Sequence, residues 1–248
     1  MGTSTPRDRY QEKVRHLVDS ERSLTCGVES RAEYEKVHAY RFRRLLDLCR
    51  HQVPSRHASV LDVGRSGLTA LLAGYYHSVA TIGLELDEDD GGHRENMVLD
   101  DRIPHIVFDL NRSADVAAWP QRPEAFDLIV YSETVEHVHA APEFTLLMFS
   151  WLLKEGGKIV MSTPNAATLQ HRALLLLGVN PFERIRYYPK NPGHFREYTA
   201  RELRDMAEVV DLRCRRIERI DFYQRGRQGL IASLRDSLIA IYEKPADR

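Results

Sequence analysis

Hydrophobic residues near the start of the chain recur at helical spacing. Over residues 30–51 they fall three or four positions apart, as they do on one face of a helix. That face consists of Tyr34, Val37, His38, Phe42, Leu45 and Leu46. Pro54 ends the pattern, because proline cannot continue a helix. We predict an amphipathic helix over residues 30–51 and interpret residues 1–54 as an N-terminal helical lid.

From residue 55 onward, short apolar runs alternate with helical patterns. The apolar runs predict strands over residues 59–64, 79–86, 106–110, 126–131, 158–162, 215–222 and 238–243. Helices are predicted over residues 69–76, 142–153 and 199–210. A turn is predicted at residues 155–157, before the fifth strand. The last helix begins with a capping box of Thr199 and Glu202. Strands that alternate with helices form parallel sheets covered on both faces. We therefore expect an α/β domain over residues 55–248 with a Rossmann-like, seven-stranded, mostly parallel sheet.

One segment interrupts this alternation. Residues 164–192 carry Pro164, Pro181, Pro189 and Pro192 among apolar and aromatic residues. This composition is unlike a regular sheet crossover. We interpret residues 165–195 as an insertion after the fifth strand that covers the substrate.

Composition is that of an ordinary globular protein, with 43% hydrophobic and 29% charged residues. Every apolar run is shorter than the ~18 residues of a membrane span. Residues 1–9 are polar and lack the apolar core of a secretory signal. The three cysteines are widely spaced and favour neither a disulfide framework nor a zinc ribbon. We expect a cytoplasmic protein, a monomer or homodimer, that makes no contact with membranes.

Charge is distributed unevenly along the chain. Residues 58–140 contain 15 Asp and Glu against 5 Lys and Arg, whereas residues 181–248 contain 11 against 15. An acidic central region repels the phosphates of nucleic acids. We therefore expect a small-molecule or glycan substrate and disfavour nucleic acid, although the basic carboxyl-terminal region keeps an RNA substrate as an alternative.

Acidic residues stand at the ends of the first three predicted strands. Asp62 opens the sequence Asp-Val-Gly-Arg-Ser-Gly, in which Gly64 and Gly67 allow a loop to approach a ligand closely. Glu85 ends the second strand, where a carboxylate can accept the ribose hydroxyls, and Asp109 ends the third, where it can accept an adenine amine. Three carboxylates would repel a pyrophosphate, so the arrangement favours a cationic nucleoside without phosphates.

The order and spacing of these motifs resemble the class I S-adenosylmethionine-dependent methyltransferases. Matching sequences lie at residues 60–64, 83–85, 108–109, 126–129, 153–157 and 162–165. Ser66 and Leu68 stand where the usual loop of that family has its second and third glycines. The resemblance implies that S-adenosylmethionine is the cofactor. The implied cofactor-binding residues are Asp62, Gly64, Ser66, Gly67, Glu85, Leu86, Asp109, Leu110, Tyr131 and Ser132.

Two carboxylates and an imidazole follow the fourth strand at positions i, i+3 and i+4. If that turn is helical, Glu133, Glu136 and His137 share one face. Together with His194, the pattern resembles two methyltransferase groups, the small-RNA 3′-terminal 2′-O-methyltransferases and the ubiquinone-pathway O-methyltransferases. Both groups act on vicinal hydroxyls and use a divalent ion. The resemblance implies a site for a divalent cation, with Mg²⁺ or Mn²⁺ favoured, made by these four residues.

A Glu-His pair in this position also occurs in methyltransferases that bind no metal. In that alternative the pair lines the pocket and His194 anchors the following helix. His139 and His194 are the candidate general bases.

The hypothesis that follows is a divalent-metal-dependent O-methyltransferase that acts on a hydroxyl of a sugar, polysaccharide precursor or similar polyol. Alternatives are methylation of an RNA 3′ end, methylation of a catechol or other phenol, and a non-catalytic cofactor-binding regulatory protein.

Overall fold

The computed structural model describes residues 11–16, 31–85, 102–185, 193–222 and 235–246. Seven strands form one sheet: β1 Ser59–Val63, β2 Ser78–Gly83, β3 His105–Val107, β4 Phe126–Ser132, β5 Leu153–Pro164, β6 Arg213–Ile220 and β7 Ser237–Glu243. Their order across the sheet is β3-β2-β1-β4-β5-β7-β6. Only β7 runs antiparallel to its two neighbours; the other pairs are parallel. The predicted α/β fold with a seven-stranded, mostly parallel sheet is confirmed.

Within the described residues, the longer helices are α1 Arg31–Gln52, α2 Gly67–Tyr75, α3 Pro142–Leu152, α4 Leu169–Leu176 and α5 Ala200–Val209, and residues 11–16 are also helical. Residues of α1, α2, α3 and α5 are buried in the hydrophobic clusters on the two faces of the sheet, whereas α4 has no buried residue. The predicted capping box is present at the start of α5, where Thr199 and Glu202 each bond the backbone of the other. None of the helices in the described part of the chain is both long and apolar enough to cross a membrane.

Both faces of the sheet are buried, as alternate residues of the central strand β4 demonstrate. Leu128 and Val130 pack into the cluster that also contains Leu45 of α1. Ile129 and Tyr131 pack on the opposite face with Phe149 of α3 and other residues. Because successive side chains of a strand point to opposite faces, a continuous apolar run indicates a strand covered on both sides.

The first or last residues of three strands differ from the prediction. β2 ends at Gly83 and β3 at Val107, so Glu85 and Asp109 lie just beyond their strands. β5 begins at Leu153, whereas a turn was predicted at residues 155–157. The strand accommodates that stretch because Gly156 adopts φ +71° and the pairing with β4 shifts register there.

The predicted N-terminal helix is present and does more than cover the domain. Its buried residues Phe42, Leu45, Leu48 and Cys49 share one hydrophobic cluster with β1, β4 and α2. The division of the chain at residue 54 stays a prediction. An insertion after β5 is also present, since residues 165–199 separate β5 from α5 and contain α4.

Candidate active site

A cavity of about 460 Å³ opens at the carboxyl ends of β1 and β4. The strand order reverses between these two strands, and ligands of open α/β sheets bind at that position. The lining residues come from α1, the β1–α2 loop, the β4 end and the segment before α5. They are Tyr34, His38, Arg41, Phe42, Asp62, Val63, Gly64, Arg65, Ser66, Leu68, Ser132, Glu133, Thr134, Glu136, His137, Pro164 and His194.

The β1–α2 loop forms one wall of this cavity. Gly64 has φ +86°, a conformation that strains other residues. Ser66 caps α2 in a capping box with Thr69, so its side chain is already used by the backbone. Thr69 also donates a hydrogen bond of 2.6 Å to the buried Asp62. Burial raises the pKa of Asp62 to about 7, and the Thr69 bond opposes that shift.

Helix α1 supplies a second wall that the sequence interpretation did not assign to the cofactor site. Tyr34, His38, Arg41 and Phe42 line the cavity, and the His38 ring lies between Tyr34 and Phe42, with ring centroids 4.2 and 5.9 Å away. Burial, with a smaller contribution from Arg41, lowers the pKa of His38 to about 4. The available signal was a polar histidine within an otherwise apolar helical face.

Gly67 makes the contact between α1 and α2 possible. A Cβ atom at this position would lie 3.0 Å from the buried ring of Phe42. Gly67 therefore allows α1 to approach the loop, and its predicted role in cofactor binding stays a prediction.

Among the described residues, three were predicted to bind the nucleoside and do not line this cavity: Glu85, Asp109 and Leu110. Glu85 is exposed two residues beyond β2, and Leu86 lies outside the described residues. The Asp109 carboxylate accepts hydrogen bonds from the backbone and side-chain amides of Asn111, and Leu110 is buried in the core. Asp109 thus organises the start of a short 3₁₀ helix.

At the end of β4, the two predicted cofactor-binding residues point to different places. Ser132 lines the cavity and its hydroxyl pairs with that of Ser162 at 3.0 Å. The Tyr131 ring is fully buried and packs edge-on against Phe149, with centroids 5.1 Å apart. The alternation of the strand directs the Tyr131 side chain into the core, and the cofactor-binding role predicted for Tyr131 stays a prediction.

Three of the four predicted metal ligands converge. Ligand atoms of Glu136, His137 and His194 all lie within 4.8 Å of one another. The Nδ1 atom of His137 lies 3.0 Å from the carbonyl oxygen of Gly193. Because a carbonyl can only accept, Nδ1 carries the proton and Nε2 of the neutral ring has the lone pair that a cation needs. One carboxylate and two imidazoles suit a divalent cation such as Mn²⁺, Mg²⁺ or Zn²⁺.

The segment of residues 193–197, here called the docking segment, brings His194 to this cluster. The backbone amide of Phe195 donates to the carbonyl of Glu136 at 2.7 Å. Together with the bond between His137 and Gly193, this contact holds the segment against the 3₁₀ turn Val135–His137.

The fourth predicted ligand, Glu133, has other partners. Its φ of +46° precedes the 3₁₀ turn, so the turn is not the regular helix that would place the three residues on one face. One carboxylate oxygen accepts from Ser162 at 2.8 Å, and the other lies 3.7 Å from Arg41. Glu133 is not part of the convergent group.

The Glu136 carboxylate is 1% exposed and accepts a hydrogen bond from Thr163 at 3.1 Å. Burial, and secondarily the negative charge of Glu133, raises the pKa of Glu136 well above its usual range. A buried carboxylate is stabilised by a nearby positive charge, so a cation held by this group would offset the cost of ionising Glu136.

Among the candidate bases, His139 is exposed and its ring packs against Phe195, with centroids 5.5 Å apart. It does not line the cavity. His194 does, and its Nδ1 atom lies 3.1 Å from the Glu197 carboxylate. The Glu197 side chain is only 7% exposed, and its other oxygen lies 3.9 Å from His171. Sequence interpretation missed Glu197; its spacing of three residues from His194 was the available signal.

Comparison with known proteins places this architecture in a family. The family described as "Methyltransferase domain" matches residues 36–217, which is most of the chain. A probable S-adenosylmethionine-dependent methyltransferase of Mycolicibacterium smegmatis is 30% identical over 129 residues, or 52% of this chain and 42% of that protein. The chain thus matches less than half the length of this curated relative.

Solved structures share the fold at low sequence identity. The 1,6-didemethyltoxoflavin-N1-methyltransferase of Burkholderia thailandensis, with bound S-adenosylhomocysteine, is 15% identical with a TM-score of 0.54; the match covers 99% of this chain and 93% of that one. The [4+2]-cyclase SpnF is also 15% identical, with a TM-score of 0.55, over 82% of this chain and 81% of that one. With its family match, its strand order and its cavity at the reversal point, the chain belongs to the methyltransferase domain family and has the class I S-adenosylmethionine-dependent methyltransferase fold.

Proposed function

We propose that this protein is a divalent-metal-dependent O-methyltransferase that moves the methyl group of S-adenosylmethionine to a hydroxyl of a sugar, polysaccharide precursor or similar polyol. The observation that supports the proposal most strongly is the convergence of Glu136, His137 and His194 within 4.8 Å, at the edge of the cavity beside the β1–α2 loop.

In this proposal the β1–α2 loop and the end of β4 bind the cofactor. S-Adenosylmethionine supplies, when bound, a methyl group on a positively charged sulfur. The open backbone at Gly64 and the carboxylate of Asp62 suit a cationic ligand without phosphates. Arg41 and Tyr34 of α1 restrict access of water from the other side of the cavity.

Glu136, His137 and His194 hold the cation, either Mg²⁺ or Mn²⁺. A bound divalent cation lowers the pKa of a hydroxyl and orients it. Three protein ligands leave several positions of such a cation for oxygen atoms of the substrate. Glu197 keeps the His194 ring in one orientation through its contact with Nδ1. The hydroxyl proton leaves to a base. His139, whose ring lies outside the cavity, is one candidate, and His194 is the other only if it is not a ligand of the cation.

Label transfer tests the activity and the role of the cation together. Radioactive S-adenosylmethionine would be incubated with methyl glycosides, oligosaccharides, catechols and short RNAs, each with Mg²⁺ or with EDTA. We expect transfer to a saccharide that EDTA abolishes. Transfer that EDTA does not affect would contradict the metal role, and transfer to catechol or RNA alone would contradict the acceptor class.

A pair of variants connects that activity to the cluster. Glu136→Ala removes a ligand, so we expect turnover to fall by more than about a hundredfold, beyond the typical effect of losing a partner of a ligand. Glu208→Ala, an exposed position on α5, is the control and retains activity. Calorimetry with S-adenosylhomocysteine should give similar affinity for both variants. Unchanged turnover in Glu136→Ala would overturn the assignment of this cluster.

The likeness to a [4+2]-cyclase is a reminder that this fold alone does not determine the reaction. A protein that binds S-adenosylhomocysteine yet transfers no label to any acceptor would favour the non-catalytic alternative.

A further inference from the structure

A second cavity, of about 670 Å³, lies beside the cluster of Glu136, His137 and His194. It is formed by residues 180–185 of the insertion and residues 194–197 of the docking segment. His194 lines both this cavity and the first one. A ligand in the second cavity would therefore lie within one side chain of the predicted cation.

Two aromatic rings stand in the wall of this second cavity. Phe182 and Phe195 are each 37% exposed, so part of each ring is accessible from the cavity. Each ring is supported by a histidine: Phe182 packs edge-on against His171 and Phe195 against His139, both with centroids 5.5 Å apart. Supported rings with an accessible face provide a fixed surface on which a ligand can stack.

The polar groups of the wall are mixed in type and nearly balanced in charge. Two carboxylates, Glu183 and Glu197, lie 3.3 and 3.1 Å from the Nε2 and Nδ1 atoms of His194. Two guanidinium groups, Arg184 and Arg196, also line the wall. Arg196 also pairs with Glu202, and Asn180 adds an amide. Such a wall offers hydrogen-bond donors and acceptors together but no excess positive charge. A polyanion such as RNA needs that excess, and its binding would leave both carboxylates opposed to phosphates.

We infer that the second cavity binds the acceptor, and that the acceptor is a neutral saccharide whose ring stacks on Phe182 or Phe195; this inference rests on the proposed function. A saccharide has an apolar C–H face and many hydroxyls that both donate and accept, which matches the two kinds of group in the wall. A catechol has an apolar ring but only two hydroxyls. It can therefore form hydrogen bonds with fewer of the polar groups in the wall than a saccharide can.

Binding to the protein loaded with S-adenosylhomocysteine tests this inference without turnover. The probes are methyl glucoside, methyl mannoside, methyl galactoside, the neutral tetrasaccharides of each sugar, catechol and a five-nucleotide RNA, followed by saturation-transfer NMR and titration. We expect at least one neutral saccharide to bind. At least one of the variants Phe182→Ala and Phe195→Ala should weaken that binding about three- to tenfold, the range expected for loss of a stacking ring. Phe144→Ala, at a 45% exposed ring of α3 outside both cavities, is the control and should bind normally.

Three results would overturn the inference. The first is that no saccharide binds although S-adenosylhomocysteine does, and the second is that neither phenylalanine variant binds the saccharide more weakly than the wild type. The third is that catechol or RNA binds and that this binding is weakened in those variants. The first and third of these leave methyl transfer to some hydroxyl intact. Loss of S-adenosylhomocysteine binding by the wild-type protein would instead contradict the proposed function itself.

Discussion

The two sides of the candidate active site are built differently. On the proposed cofactor side, the loop after β1 joins residues that are close in sequence, since Asp62, Gly64, Ser66 and Thr69 lie between β1 and the first turn of α2. The proposed acceptor side depends on the docking segment, which reaches the turn after β4 across more than fifty residues of chain. Burial follows the same division: Asp62 and Thr69 are buried, whereas Phe182 and Phe195 are exposed.

This difference indicates how each side can vary. A loop made by neighbouring residues is retained whenever the strand and helix form. A site that depends on a distant segment can change its ligand by changes in that segment alone, without disturbing the sheet. We expect substitutions on one side of the site to leave the other side functional.

Glu197→Ala should lower the affinity for the cation without changing the affinity for the cofactor, and its expected effect is the largest. Glu197 contacts Nδ1 of His194 and fixes the ring. Loss of a carboxylate that orients a ligating histidine typically lowers metal affinity 10- to 100-fold. We expect a loss of about that size for Mn²⁺, measured by titration calorimetry.

Glu197→Gln keeps an acceptor at the same place and should recover part of the Mn²⁺ affinity, whereas Glu208→Ala should match the wild type. Affinity for S-adenosylhomocysteine should not change in any of the three variants. Equal Mn²⁺ affinity in Glu197→Ala and the wild type would show that His194 does not depend on Glu197.

Gly67→Ala disturbs the cofactor side alone. The new Cβ would lie 3.0 Å from the buried Phe42 ring, so α1 or the ring must move. Overpacking of this kind costs about 1–3 kcal/mol of unfolding free energy. We also expect weaker binding of S-adenosylhomocysteine, because α1 forms a wall of the cavity.

Gly74→Ala is the matched control for this prediction. It lies in the same helix with no atom within 4 Å of the added Cβ, and it should be neutral or stabilising. Urea unfolding of both variants measures the difference. A Gly67→Ala protein as stable as Gly74→Ala would mean that α1 tolerates displacement.

His38→Gln tests how the wall formed by α1 contributes to stability at different pH values, and its expected effect is the smallest. The pKa of His38 is lowered to about 4, chiefly by burial and then by Arg41. The folded state therefore binds fewer protons than the unfolded state between pH 6.5 and 4. The stability that depends on neutral His38 is complete above pH 6.5 and is lost as the pH falls toward 4.

Because the ring is partly exposed, we expect this contribution to stay below about 1 kcal/mol after solvent screening. Unfolding free energies of the wild type and His38→Gln would be compared at pH 7.5 and 4.5. The wild type should lose more stability than the variant on acidification. Parallel losses would indicate that His38 does not couple to folding.

Much of the fold was predictable because the local pattern of apolar and polar residues indicates which segments are buried. The continuous apolar run of β4 predicted a central strand, and the capping box at Thr199 predicted the start of α5. Strand ends were less predictable: β5 continues through Gly156 because glycine permits a bulge that the composition alone marked as a turn. The same limit applies to Glu133, whose positive φ takes its carboxylate away from the group that spacing alone had suggested.

The α/β class, the loop that begins at Asp62, and the pair Glu136 and His137 at the end of β4 could be predicted from the amino-acid sequence. Each of these follows from residues a few positions apart, whose geometry the backbone sets once a strand or turn forms. The three-dimensional packing was needed to show that Glu133 lies beside Arg41, that the Tyr131 side chain enters the core, and that Glu197 contacts His194. These contacts join segments or select among faces through packing, and no local pattern encodes how distant segments pack.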